Sequence, residues 1–211
     1  MSVRVVVYAE GSGEAPRLFD DSPAWTLGDD DLGPAHVLVR RSLAAERGVP
    51  ESAVVFRGRY RDEDGCHLVG SDLLDDARRA RLAALHALFA DRIDLVVLLV
   101  DRDGHADRTP AALGASWTGR TALAVGVPRE EFEAWLIGDG SAAARRLGAG
   151  PPGLPEALAP RAAKMWLSEQ VSAVEGVALE IRCDLARAAD LTSLRAACPS
   201  FSGSGCATTL R

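Results

Sequence analysis

Apolar residues in this chain fall into short unbroken runs, separated by longer stretches with helical spacing. The most continuous run is Leu95–Val100, six apolar residues between Asp94 and Asp101. A run without a polar face suits a strand buried on both sides, as in the middle of a parallel sheet. Val3–Ala9 and Thr121–Val127 read as two more buried strands, and Ala53–Phe56 as a short one. Between them, Pro34 opens a helix to about Arg47, with Val37, Leu38 and Leu43 on one side and Gly48 at its end. Ser71 is expected to cap a long helix to about Arg92, with Asp72, Asp75 and Asp76 in its first turns and Leu74, Leu82, Leu85, Leu88 and Phe89 as its apolar stripe. His86 lies in that stripe and reads as a packed or rim residue. Strands alternating with helices predict an α/β fold, a mainly parallel Rossmann-like sheet flanked by helices.

The remaining pattern is more helical. His105–Gly119 reads as a loop holding one helical turn at most, and Pro128 is expected to start a helix through Asp139 that buries Phe132, Trp135 and Leu136. Gly148–Pro160 is rich in Pro and Gly, followed by helical stretches at Ala162–Val171, Ile181–Ala189 and Leu191–Ala197. Pro199-Ser200-Phe201 ends the ordered pattern, and SGSGCATTLR reads as a loose tail. The expected organisation is an α/β core over residues 1–140 and a C-terminal helical extension packed on it over residues 141–211.

Composition narrows the function. At 211 residues the chain is long enough for one substantial core. A net charge of −6 argues against a broad nucleic-acid footprint, but leaves room for a local basic groove or a partner that delivers the polymer. Lys164 is the only lysine; every other basic side chain apart from histidine is arginine. No apolar run approaches transmembrane length, and MSVRVVVYAE carries none of the marks of a signal peptide, so a cytoplasmic protein is expected. Cys66, Cys183, Cys198 and Cys206 show no metal-type or disulfide-framework spacing.

Chemistry concentrates where strands end. Asp101 and Asp103 follow the central strand, and in an extended chain residues i and i+2 point the same way. Two carboxylates so placed imply a divalent cation with oxygen ligands, although an Asp-x-Asp-Gly sequence is also a common solvated turn. Glu10 and Glu14 flank a Gly-Ser-Gly turn after the first strand; Pro16 breaks the dinucleotide fingerprint, and no lysine follows to make a P-loop. Glu131 and Glu133 come just after the fourth strand, where acidic residues also suit a helix start. In a parallel sheet these three ends share one edge, and three acidic clusters there are hard to ascribe to chance. Arg57, Arg59 and Arg61 alternate around Tyr60 and are the candidates for phosphate contact, with a solvated hairpin rim as the alternative.

At this point the sequence resembles the Toprim fold, marked by a glutamate after the first strand and an Asp-x-Asp after a later one. VVVYAEGSGE, LVVLLVDRDGH, VGVPREEFEAWLIGD and DLTSLRAACPSF together resemble the prokaryotic family catalogued as domain of unknown function 4276, from Val3 to Phe201. The resemblance implies a Mg²⁺- or Mn²⁺-dependent nuclease-like domain related to the OLD-type nucleases, often accompanied by an ATPase in phage defence. It implies that Glu10, with Glu14 beside it, is general base or metal ligand, that Asp101 and Asp103 bind the first metal, and that Glu131 or Glu133 completes a second. The expected substrate is nucleic acid, DNA rather than RNA, and the chain could form homo-oligomers. Two other classes stay open: a non-catalytic regulatory subunit, and a Toprim phosphoryl-transfer enzyme acting on a small phosphoester.

Overall fold

The computed structural model describes residues 2–11, 14–15, 25–60, 68, 70–88, 92–118 and 120–202. Its centre is a four-stranded, all-parallel sheet, β1 (Val3–Ala9), β2 (Val54–Phe56), β3 (Leu95–Leu99) and β4 (Ala122–Gly126), in the order β2-β1-β3-β4. The helices are α1 (Pro34–Arg47), α2 (Asp76–Leu88), α3 (Pro110–Gly114), α4 (Phe132–Leu136), α5 (Gly140–Leu147), α6 (Ala162–Ala173), α7 (Ala178–Ala188), α8 (Leu191–Ala197) and α9 (Pro199–Ser202). The chain is therefore α/β with a Rossmann-like parallel sheet.

The unbroken apolar runs have their physical cause in this sandwich. Val5, Val7, Leu95, Val97 and Leu99 face one core, shared with Leu38 of α1 and Ile181 and Leu185 of α7. Val6, Tyr8, Val96, Leu98 and Val100 face the other, with Leu82 of α2 and Leu113 of α3. Period-two alternation persists, but both faces are dry, so both alternating sets are apolar. The C-terminal helices have no core apart from the sheet: α7 lies along α1, and Arg41 donates to the Ala186 carbonyl at 2.7 Å. Among the described residues no helix is long and apolar enough to cross a membrane.

Register sets the site. Ala9 pairs with Leu99 and Leu99 with Gly126, so β1, β3 and β4 end in one row. At the opposite end, Asp94 fixes that register by accepting Arg4 N–H at 2.7 Å and both Arg4 Nε at 2.9 Å and Nη2 at 2.8 Å. From β1 the chain passes to β2 on one side, then to β3 on the other, with α1 and α2 on opposite faces. The crevice between the ends of β1 and β3 is thus the topological switch point, where open α/β sheets bind ligands.

Three helix expectations are corrected. Residues Gly70–Leu74 form a 3-10 turn rather than the start of α2. The cap is Asp75, whose Oδ1 accepts Arg78 N–H at 2.9 Å. Pro128 does not start a helix, because its carbonyl accepts Arg102 N–H at 3.1 Å and that of Glu130 accepts Asp103 N–H at 3.3 Å. Those bonds hold Pro128–Glu130 beside the Asp101–Asp103 turn, and α4 begins only at Phe132. Helix α5, absent from the sequence reading, is capped by Asp139, which accepts Ser141 N–H at 3.0 Å and Ala142 N–H at 3.1 Å. Cys183 and Cys198 are buried free thiols; Cys66, Cys206, Phe89 and the tail after Ser202 lie outside the described residues.

Candidate carboxylate site

Glu10 continues β1 by one residue, its N–H bonded to the Leu99 carbonyl at 3.0 Å. Its Oε2 accepts the Asp101 N–H at 3.2 Å, which joins the tips of β1 and β3 directly. Glu14 follows in a tight turn whose carbonyl receives Ala35 N–H of α1 at 3.0 Å, and its side chain is buried over Gly11. Arg59 braces the same turn: Nε donates to the Val7 carbonyl at 2.9 Å and Nη2 to that of Ala15 at 3.4 Å.

Asp101 is buried and its Oδ1 accepts Phe132 N–H at 2.9 Å, so one carboxylate organises the end of β3 and the start of α4. Asp103 and Gly104 both adopt left-handed backbone, at φ 47° and 73°. Asp tolerates that region and Gly favours it, which is the local reason for an Asp-Gly pair here. The turn also corrects the expectation of two parallel side chains: the chain is not extended through Asp103, whose side chain is exposed beside Arg108 at 3.3 Å. Arg108 also donates to the Asp101 carbonyl at 2.8 Å.

Glu131 and Glu133 are both buried, on opposite sides of the start of α4. Glu131 Oε2 accepts Lys164 N–H of α6 at 3.2 Å. Glu133 Oε1 meets Arg182 Nη1 of α7 at 3.4 Å, and its Oε2 is buried with no hydrogen-bond partner among the described residues.

These groups feel one another. Burial first, then the charges of Glu14, Glu133, Glu10 and Asp103, hold the Asp101 carboxyl well above the usual carboxylate range. Glu14 is raised by burial and by Glu133 and Glu10, and eased downward by the Gly11 backbone and Lys164. Glu10 and Glu131 are raised chiefly by burial, with Lys164 pulling each back. All three strand ends therefore converge electrostatically on Asp101.

A hard cation fits this set by charge and donor chemistry. The ligands are carboxylate oxygens, they are crowded with like charge, and Glu133 Oε2 is a buried acceptor left without a donor. Among the described residues no group of three or more His, Cys, Asp or Glu side chains is arranged to hold a metal as it stands.

The arginine expectation is corrected in part. Arg59 is 4% exposed and bonded to main-chain carbonyls, so it is a brace rather than a phosphate contact. Arg57 bonds Thr26 Oγ1 at the outer edge of β2, away from the β1–β3 crevice, and Arg61 lies outside the described residues. Sequence reasoning missed the cations that do meet the site. Lys164, Arg108 and Arg182 approach from α6, the loop before α3, and α7. A sole lysine was a visible signal for the first; nothing local marked Arg182. Compared with known protein families, curated proteins and solved structures, the chain has no match.

Proposed function

We propose that the protein is a divalent-metal-dependent hydrolase of nucleic-acid phosphodiesters. The observation that carries this reading is the convergence of Glu10, Glu14, Asp101 and Glu133 at the β1–β3 switch point, with Lys164 as a facing cation. Glu10, Asp101 and Asp103, with Glu133 or Glu131, would hold Mg²⁺ or Mn²⁺. Such an ion, when bound, activates water and offsets phosphate charge. Glu14, seated beside Glu10, serves as proton acceptor for the attacking water. Lys164 offers its ammonium to the phosphoryl oxygens, where negative charge grows. The Toprim-like motifs support the same reading, and with it an ATPase partner in phage defence. The net charge of −6 favours a partner that presents the polymer.

A regulatory subunit without catalysis is the second reading, favoured by the lack of a ready-made ligand set among the described residues. The test offers supercoiled plasmid, single-stranded DNA and RNA to the purified protein in Mg²⁺, Mn²⁺ or EDTA. Asp101→Asn/Asp103→Asn and Lys164→Met variants run beside it. Cleavage that needs the cation and falls at least 100-fold in both variants is expected. Metal binding without cleavage moves the assignment to the regulatory subunit, and no metal binding removes the metal-dependent nuclease.

A further inference from the structure

Beside the Asp101–Asp103 turn lies a cleft of about 400 Å³, lined by Arg102, Arg129, Leu154, Glu156, Pro199 and Ser200, with the exposed Ala157 and Ala196 and the half-buried Ala197. That volume falls in the range of sites that hold small ligands or single ligand units. Its two guanidiniums grow from the same backbone as the carboxylates. Arg102 stands between Asp101 and Asp103, Arg129 two residues before Glu131, and the Arg102 N–H bond to the Pro128 carbonyl sets the two segments side by side.

Neither arginine forms an ion pair with a described residue; Arg102 Nε is steadied by the His105 carbonyl at 3.3 Å. Glu156 does not answer them, because its oxygens accept Trp135 Nε1 at 3.2 Å, Ser200 N–H at 3.2 Å and the Ser200 hydroxyl. Apart from the Ser200 hydroxyl, which is given to Glu156, the remaining lining side chains are aliphatic. Two guanidiniums beside solvent-exposed aliphatic side chains match a phosphate with a flat, weakly polar group attached.

We propose that this cleft is a second subsite, taking the phosphate and adjoining nucleoside that flank the bond at the carboxylates. A base lies against those aliphatic side chains only when it is out of a duplex stack, so the substrate class is a single-stranded segment. The proposal rests on the nuclease reading for its substrate, but binding can be read separately from cutting.

The test is fluorescence anisotropy of a short labelled oligothymidylate, with Ca²⁺ replacing Mg²⁺, across a series of KCl concentrations. Arg102→Gln and Arg129→Gln are each expected to weaken binding about fivefold and to lower the slope of log affinity against log salt by about 0.7. Ala196→Glu, at an exposed position of α8, places a negative charge at the cleft and is expected to weaken binding about as much. Circular dichroism melting verifies that each variant folds. The proposal is overturned if the double arginine variant keeps affinity and slope. It is equally overturned if wild type binds no oligomer, binds a duplex of that length as tightly, or binds thymidine monophosphate as tightly. Wild-type binding that depends on both arginines, without cleavage under any cation, removes the nuclease reading and leaves the subsite standing. Cleavage with arginine-independent binding removes the subsite alone.

Discussion

The Glu14 carboxylate lies so close over Gly11 that a β-carbon at position 11 would stand 2.4 Å from its Oε1. Gly11 is thus the floor on which an acidic side chain of the site rests. Because the obstructing atom is the far end of a flexible side chain, Gly11→Ala is expected to displace Glu14 rather than unfold the protein. Stability should change by less than about 1 kcal/mol in urea unfolding. Cleavage in Mn²⁺ should fall at least tenfold. Unchanged cleavage would mean that Glu14 is not the proton acceptor.

Asp101 gives the next prediction. Its native pKa is raised by burial and by Glu14, Glu133 and Glu10, so the folded state holds its proton more tightly than the unfolded chain does. The stability linked to that proton is full below the ordinary carboxylate range and is lost as pH rises through the native value. In EDTA, Asp101→Asn should therefore be more stable than wild type at pH 8 by about 1–2 kcal/mol, and the gap should close toward about pH 4. Divalent cation at 100 times its Kd should stabilise wild type by about 2.7 kcal/mol and the variant far less. A variant less stable than wild type at pH 8 would show that the Phe132 hydrogen bond, not repulsion, dominates at this residue.

The histidines titrate with the opposite sign. His86 and His36 are buried, and desolvation pushes each down to about 3 from an ordinary value near 6.5. Neutral imidazole is the native form, so each contribution is complete above about pH 6.5 and is lost as pH falls toward 3, by about 2 kcal/mol at pH 5. The Tyr8 hydroxyl accepts Tyr60 N–H at 3.1 Å and shares a hydrogen bond with His86 Nε2 at 3.1 Å, while His86 Nδ1 has no hydrogen-bond partner among the described residues. His86→Phe keeps the aromatic packing with Tyr60 and Trp117 while removing the titrating group. The variant should match wild type within about 1 kcal/mol at pH 8 and exceed it at pH 5, in urea unfolding at both pH values.

The strands were legible because burial on both faces forces unbroken runs such as Leu95–Val100, a local signal. Helix α1 was legible from Pro34 and Gly48, whose backbone constraints act at single positions. The acidic residues at the ends of β1, β3 and β4 could be named, but their meeting depends on strand order, which no local pattern encodes. The same limit explains the errors. The Pro128 helix fails through hydrogen bonds to Arg102 and Asp103, some 26 residues earlier in the chain. The arginine at 59, charged and in an alternating run, reads as surface until Val7 and Ala15 carbonyls give it buried partners. Lys164 and Arg182 reach the site only because α6 and α7 fold back onto α4.

The last prediction concerns the tie between α4 and the chain's final described helix. Trp135 Nε1 donates to Ser200 Oγ at 2.9 Å and to Glu156 Oε1 at 3.2 Å, and Phe201 packs edge-on against the Trp135 ring at 5.1 Å. This cluster ties Trp135 of α4 to Ser200 and Phe201 of α9. Glu156→Ala removes an acceptor shared by Trp135 Nε1, Ser200 N–H and the Ser200 hydroxyl and is expected to cost about 2–4 kcal/mol in urea unfolding. Hydrogen exchange should quicken first at residues 199–202. Helix α4 also presents Phe132 N–H to Asp101, so loosening it should weaken Mn²⁺ binding as well. A large stability loss with metal affinity intact would place the boundary between scaffold and site at Phe132, since the Asp101 carboxylate would then keep its geometry without α4 firmly anchored.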